Sequence, residues 1–236
     1  MNDMDIQDLN ELDHSLTLAI NGSDSIFWDN VMYTVTNTFS WTIVIAFLLY
    51  IIFKNNSPKE ALVVIITIAL MIALADRLCS GLVKPGVGRW RPTQDPELMY
   101  MIDVVRDYRG GQFGFFSGHS CNTFCMAMFL SLLFRSAKVT WTLFFWAAST
   151  TFTRLYLGVH YLGDVTVGFF IGNTIGFLSY HIMNFVKARM NIRRNKFISM
   201  QFTSTSYLKA DMDMFLAVVF LNYLLVIIIA MMLGID

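Results

Sequence analysis

Six stretches of this chain stay apolar for about the length needed to cross a bilayer, and that excludes most folds. They run over about 31–53, 61–83, 117–134, 139–157, 161–186 and 214–233. A bilayer core asks for about 20 helical residues. Lipid cannot satisfy open backbone, so only helices or closed barrels span it. Runs this long, without strict alternation, predict helices. Only 14% of residues are charged, against about 25% in soluble domains. The expected fold is all-α and polytopic. Residues 31–236 form one bundle of six transmembrane helices, and residues 1–30 form an N-terminal amphipathic surface helix.

That N-terminal stretch holds seven acidic residues and no Lys or Arg. Ile6, Leu9, Leu12, Leu16 and Ala19 or Ile20 recur at helical spacing, with Asp3 or Asp5 as N-cap. His14 within it reads as an ordinary surface histidine. The acidic start lacks the basic region that opens a signal peptide. Ten of the 17 basic residues fall in the loops between segments one and two, three and four, and five and six. Among them are Lys54, Lys187, Arg193, Arg194 and Lys196. The positive-inside rule makes that side cytoplasmic. Both termini and the loop 84–116 then face outward, towards the periplasm, from a multi-pass protein of the inner membrane. A net charge of zero offers nothing to a nucleic acid, and no obligatory protein partner is evident.

Ionisable groups within the apolar frame need a reason to be there. Thr153 to Asp164 holds Arg154, His160 and Asp164. His160 and Asp164 are four apart, one helical turn. A carboxylate there can fix the imidazole tautomer and leave the second ring nitrogen free to attack. Arg154 offers a planar fork to a phosphate or carboxylate. A structural polar cluster at a helix end explains the stretch equally well.

Two further clusters lie at the same face. Lys84-Pro85-Gly86-Val87-Gly88-Arg89-Trp90-Arg91-Pro92 places three cations in a turn shaped by Gly and Pro. An interfacial anchor suffices for Arg89 and Trp90, but explains Lys84 and Arg91 less well. Ser117-Gly118-His119 enters segment three, where free N–H groups and the helix dipole form an anion site. His119 stands at its lip.

Together the clusters resemble the signature of the type 2 phosphatidic acid phosphatase superfamily. That signature reads Lys-x6-Arg-Pro, Pro-Ser-Gly-His and Ser-Arg-x5-His-x3-Asp. This chain carries Lys84-x6-Arg91-Pro92, Phe116-Ser117-Gly118-His119 and Thr153-Arg154-x5-His160-x3-Asp164. Phe116 replaces Pro and Thr153 replaces Ser; every spacing holds. The resemblance implies that His160 is the nucleophile and forms a phosphohistidine. It implies that Asp164 orients His160 and that His119 is the general acid. Lys84, Arg91, Ser117, Gly118 and Arg154 would hold the phosphoryl oxygens. No metal or cofactor is implied, since three cations neutralise a phosphate monoester of about −1.5 to −2.

The expected substrate is a phosphorylated membrane lipid met in the bilayer, a lipid A phosphate or undecaprenyl diphosphate before other lipid phosphates. Arg106 and Arg109, in the basic part of the loop 93–116, are the expected head-group contacts. Asp76 and Arg77 read equally as partners of Lys84 or Arg91 and as a structural ion pair. His181, at the far end of segment five, has no expected role. Gly168, Gly172 and Gly176 form a small-residue series for close helix packing, and Cys121 and Cys125 read as packing residues. Two other functions fit less well: phosphotransfer to a lipid acceptor through the same intermediate, and non-enzymatic lipid transport. Transporters place polar groups near mid-membrane, whereas these cluster at one rim.

Overall fold

The computed structural model describes residues 6–192 and 200–233. The expected N-caps Asp3 and Asp5, and the loop cations Arg193, Arg194 and Lys196, lie outside the described residues. The described residues are mainly helical, apart from the long loop between α5 and α6. In order come α1 (Ile6–Ile20), α2 (Ile26–Thr36), α3 (Thr42–Asn55), α4 (Pro58–Asp76), the single turn α5 (Lys84–Val87), α6 (Gly118–Phe134), α7 (Ala137–Tyr156), α8 (Leu162–Arg189) and α9 (Lys209–Met232).

Among the described residues, four helical stretches are long and apolar enough to cross a membrane. They are Thr38–Asn55, Pro58–Val87, Leu162–Arg189 and Lys209–Met232. Helix α6 is apolar but only 17 residues long. Helix α7 has 20 residues and carries Thr142, Ser149, Thr150, Thr151, Thr153 and Arg154 within its run.

Residues 6–55 differ from expectation. A single surface helix over 1–30 is not what forms. Helix α1 stops at Ile20, and α2 begins at Ile26 behind the Ser25 cap, so the expected boundary at 30/31 falls inside α2. Nor is the first apolar segment continuous. A 3₁₀ turn at Thr38–Trp41 separates α2 from α3. Asn37 is the cause: its side chain accepts the Phe39 N–H at 3.0 Å and offers the backbone an alternative to the helix. Trp41 then donates its indole N–H to the Val35 carbonyl at 2.9 Å and packs edge-on to Trp146 and Tyr223.

Helix α4 also changes character. Residues Arg77–Val83 wind as a π-helix directly before Lys84. Such wide turns interrupt α-helices mostly at functional sites. Here the turn lets Cys79 donate its thiol to the Phe116 carbonyl at 3.0 Å, tying α4 to the start of α6.

Helices α6 and α8 form the central pair. A Cβ on Gly172 would lie 2.3 Å from the Cys121 carbonyl oxygen, and one on Gly176 would lie 2.4 Å from that of Cys125. On Gly168 it would meet the Ser117 carbonyl at 2.8 Å. Two rows with four-residue spacing thus press backbone to backbone, which is what small residues permit. At the opposite end, Lys187 pairs with Glu60 at 3.1 Å and Lys54 with Asp211 at 2.7 Å.

Gly172→Ala should therefore destabilise the bundle by about 1–3 kcal/mol, the usual cost of overpacking. Gly86→Ala, where an added Cβ meets nothing within 4 Å, is the control. Thermal unfolding in detergent checks this, and equal melting of the two variants would contradict it.

Candidate active site

Three separated stretches are sewn together by main-chain bonds. The loop after α5 folds back on itself: Arg91 N–H donates to the Gln112 carbonyl at 3.1 Å, and Gly114 N–H to that of Arg89 at 2.8 Å. This short antiparallel contact carries Arg91 over the start of α8. Ser117 N–H then donates to the Asp164 carbonyl at 3.0 Å, and Thr93 N–H to that of Gly158 at 3.2 Å. Gly114 is a residue whose side chain could not be larger. A Cβ there would lie 2.9 Å from Asp164 Oδ2 and 3.6 Å from His160 Nδ1.

His160 and Asp164 are 1% and 0% exposed. His160 Nδ1 lies 3.2 Å from Asp164 Oδ2, which also accepts the Tyr161 N–H at 3.1 Å. A carboxylate at Nδ1 favours the tautomer with hydrogen there and leaves Nε2 with its lone pair. Arg91 Nη1 stands 3.4 Å from that Nε2. Burial, and then the charges of Arg91, Arg154 and Lys84, hold His160 well below the ordinary histidine range. It is neutral at pH 7, with the Nε2 lone pair unprotonated.

The cations are not balanced locally. Arg154, 1% exposed, donates to Thr36 Oγ1 at 2.7 Å and to the Tyr108 hydroxyl at 3.1 Å. Its Nε has no hydrogen-bond partner among the described residues. Arg91 spends donors on the Phe113 and Val159 carbonyls at 3.1 and 3.4 Å. Among the described residues, no carboxylate forms a salt bridge with Lys84, Arg91 or Arg154. Arg154, His160, Arg91 and Lys84 all lie near enough to bear on His119, so the two histidines and three cations share one neighbourhood. Ser117 caps α6, its hydroxyl accepting the Ser120 N–H at 3.4 Å, and Gly118 follows in the first turn.

The expected head-group cations lie further out. Arg106 is exposed, with its side chain donating to the Leu233 carbonyl at 3.1 Å, at the end of α9. Arg109, also exposed, donates to the Thr93 carbonyl at 3.4 Å, beside the Arg91 loop. Asp76 adds its charge near Lys84 and accepts from Ser80 at 3.4 Å.

Two residues were not legible as site residues. Arg89, expected as an anchor, instead bridges Asp164 at 3.0 Å and Asp13 at 2.8 Å. His14, expected as a plain surface histidine, stacks on Tyr161 at 5.2 Å. The available signal was indirect: seven acidic residues in the first thirty, with no local cation to answer them.

Beneath His119 an apolar cavity of about 310 Å³ runs down the bundle. Its walls include Trp41, Leu48, Met126, Leu130, Leu143 and Phe215. An apolar cavity bordered by His119, three cations near both histidines and four long apolar helices among the described residues fit a membrane-embedded phosphoric ester hydrolase, and the chain's relatives define that class. The sequence profile of the PAP2 superfamily matches residues 61–188, and the chain belongs to that superfamily. It is 41% identical over 187 residues to a lipid A 4'-phosphatase of Bacteroides thetaiotaomicron, covering 78% of this chain and 83% of that protein. A lipid A 4'-phosphatase of Porphyromonas gingivalis is 33% identical over 179 residues, covering 76% of each. The fold also matches the crystal structure of a transmembrane PAP2 type phosphatidylglycerolphosphate phosphatase from Bacillus subtilis. The TM-score is 0.59 at 22% identity, over 81% of this chain and 90% of that one.

Neutral, buried His160 carries a pH signature. Once unfolded, it titrates near 6.5; folded, it resists protonation until well below that. Below about pH 6.5 the unfolded chain therefore binds the extra proton, and stability falls as pH falls. His160→Gln should flatten that part of the melting-temperature profile between pH 7 and 5. An unchanged slope would contradict the assignment.

Proposed function

We propose that this protein is a lipid phosphatase that removes phosphate from a lipid A head group at the outer face of the inner membrane. The observation that carries the reading is the set of three cations near His160, two of them buried arginines and none in a salt bridge among the described residues, with Arg91 at His160 Nε2. An uncompensated buried charge is costly, and an arriving phosphate relieves it. The names of two relatives, both lipid A 4'-phosphatases, favour lipid A over undecaprenyl diphosphate.

In the proposed reaction, His160 Nε2 attacks phosphorus while the bond to the sugar oxygen breaks. His119 gives that oxygen its proton. Asp164 accepts from Nδ1–H and steadies the charge that develops on the ring. Lys84, Arg91 and Arg154, with Ser117 and the Gly118 N–H, hold the three phosphoryl oxygens, the largest expected source of rate. Water then attacks the phosphohistidine, His119 takes its proton, and inorganic phosphate leaves. The chain's own cations supply the charge a metal would otherwise bring.

The bundle crosses the membrane six times in this reading, with α6 and α7 completing the four longer spans. Both termini face outward. Helix α1 lies at the surface with Leu9, Leu12 and Leu16, all exposed, turned to lipid. The cavity below His119 receives an apolar part of the substrate. Arg109, beside the Arg91 loop, and Arg106 meet the sugar head group.

Purified protein in detergent, given phosphorylated lipid A, undecaprenyl diphosphate, phosphatidic acid and a small soluble ester, tests this. Lipid A should release inorganic phosphate fastest, with chelator present. His119→Ala should lose about 10²–10⁴ in rate, the usual worth of a general acid. Arg109→Ala should lose rate on lipid A but not on the small ester. Faster turnover of the diphosphate, or loss of activity with chelator, would contradict the reading.

A further inference from the structure

Helix α1 directs Asp13 and Thr17 towards the bundle, beside Leu18, which packs on the Leu98–Ile102–Tyr161 cluster. Leu9, Leu12 and Leu16 are exposed, while Thr17 is buried and Asp13 half-buried. Both oxygens of Asp13 are engaged. Oδ2 accepts from Arg89 Nη2 at 2.8 Å, and Oδ1 accepts the Gly163 N–H at 3.0 Å. Arg89 donates through its other arm, Nη1, to Asp164 Oδ1 at 3.0 Å. The remaining oxygen of Asp164 faces His160 Nδ1. Four side chains from three regions thus form one line, Asp13 to Arg89 to Asp164 to His160.

An exposed ion pair would deserve little weight, since such pairs are worth about 0–1 kcal/mol. This one ends on a carboxylate with no solvent exposure. The Arg89 guanidinium also lies over the Tyr161 ring at 4.1 Å, against which His14 stacks. Tyr161 is held in turn by its hydroxyl bond to Asp95 Oδ2 at 2.7 Å. A planar fork with one arm on each of two carboxylates fixes its own plane, and through it the rotation of Asp164. Helix α8 profits too. Tyr161, before its first turn, offers no short capping oxygen, and Asp13 supplies one from another helix. Gly163 permits the approach, because a Cβ there would lie 2.9 Å from Asp13 Oδ2.

We propose that Asp13 is a positioning residue for the reaction, acting through Arg89 to fix the Asp164 carboxylate and with it the tautomer and angle of His160. The proposal rests on the reading of His160 as nucleophile. It assigns the four nearby cations to two tasks: Lys84, Arg91 and Arg154 serve the phosphate, and Arg89 serves the nucleophile's support.

The test compares wild type with Asp13→Asn, Asp13→Glu, Gly163→Ala and Arg89→Gln, each full-length in detergent. On lipid A, Asp13→Asn should lower kcat about 10–100-fold, the usual effect of losing such an outer partner, with KM within about twofold. Asp13→Glu should recover most of the loss. Asp13→Asn combined with Arg89→Gln should be no slower than Arg89→Gln alone, since coupled residues do not add. Independently of turnover, ¹⁵N-histidine spectra should show His160 moving from a single Nδ1–H tautomer to a mixture in Asp13→Asn and in Gly163→Ala. Wild-type kcat in Asp13→Asn, additive double-variant losses, or an unchanged His160 tautomer would each overturn the proposal. If His160→Ala still turns over, the nucleophile assignment fails instead, and the tautomer spectra still decide the role of Asp13.

Discussion

Positive charge buried with no carboxylate in salt-bridge contact, among the described residues, is the constraint on which this structure turns. Arg154 and Arg91 are both buried, and Lys84 is partly so. Hydroxyls and carbonyls hold the two guanidinium groups in place without cancelling their charge. Ion burial of this kind costs several kcal/mol after relaxation. A fold tolerates it where the missing counter-charge arrives with the substrate. Burial and the same cations keep His160 neutral, so in the proposed reaction one electrostatic arrangement would both attract the anion and arm the nucleophile.

Holding such a site open requires rigid backing, and the α6–α8 pair provides it. Glycines at four-residue intervals bring α8 against the carbonyls of Ser117, Cys121 and Cys125. Ser117 at the top of α6 then reaches the Asp164 main chain at the top of α8. The N-terminal end of α6 and the start of α8 that bears Asp164 are therefore fixed to each other by a main-chain hydrogen bond. The π-turn before Lys84 and the folded-back loop carrying Arg91 close the remaining sides.

Much of this was legible in the sequence, for a physical reason. His160 stands just before the Tyr161 cap and Asp164 lies in the first turn of α8, and Lys84 and Arg91 flank one short turn, so local spacing records their proximity even though His160 lies outside the helix. Apolar length likewise exposed the helical bundle, though Asn37 broke the first segment through a side-chain bond that hydropathy does not see. What stayed hidden was contact at long range. Asp13 meets Gly163 across 150 positions, and no period links them. Arg89 lies inside a readable motif, yet its alignment with an interfacial tryptophan suggested lipid rather than Asp164. Arg106 donates to the Leu233 carbonyl at the end of α9, 127 positions away, a contact that no sequence pattern announces. A single sequence does not show which partner a long side chain reaches.

The central claim is covalent: phosphate passes through His160. Lipid A labelled with ³²P at the scissile phosphate, mixed with enzyme and quenched in alkali within one turnover, tests it most directly. The account predicts label on the protein at His160, stable to alkali, released by mild acid, and missing from His160→Ala. Label on another residue, or rapid phosphate release with no protein-bound label at any quench time and undiminished turnover by His160→Ala, would contradict it.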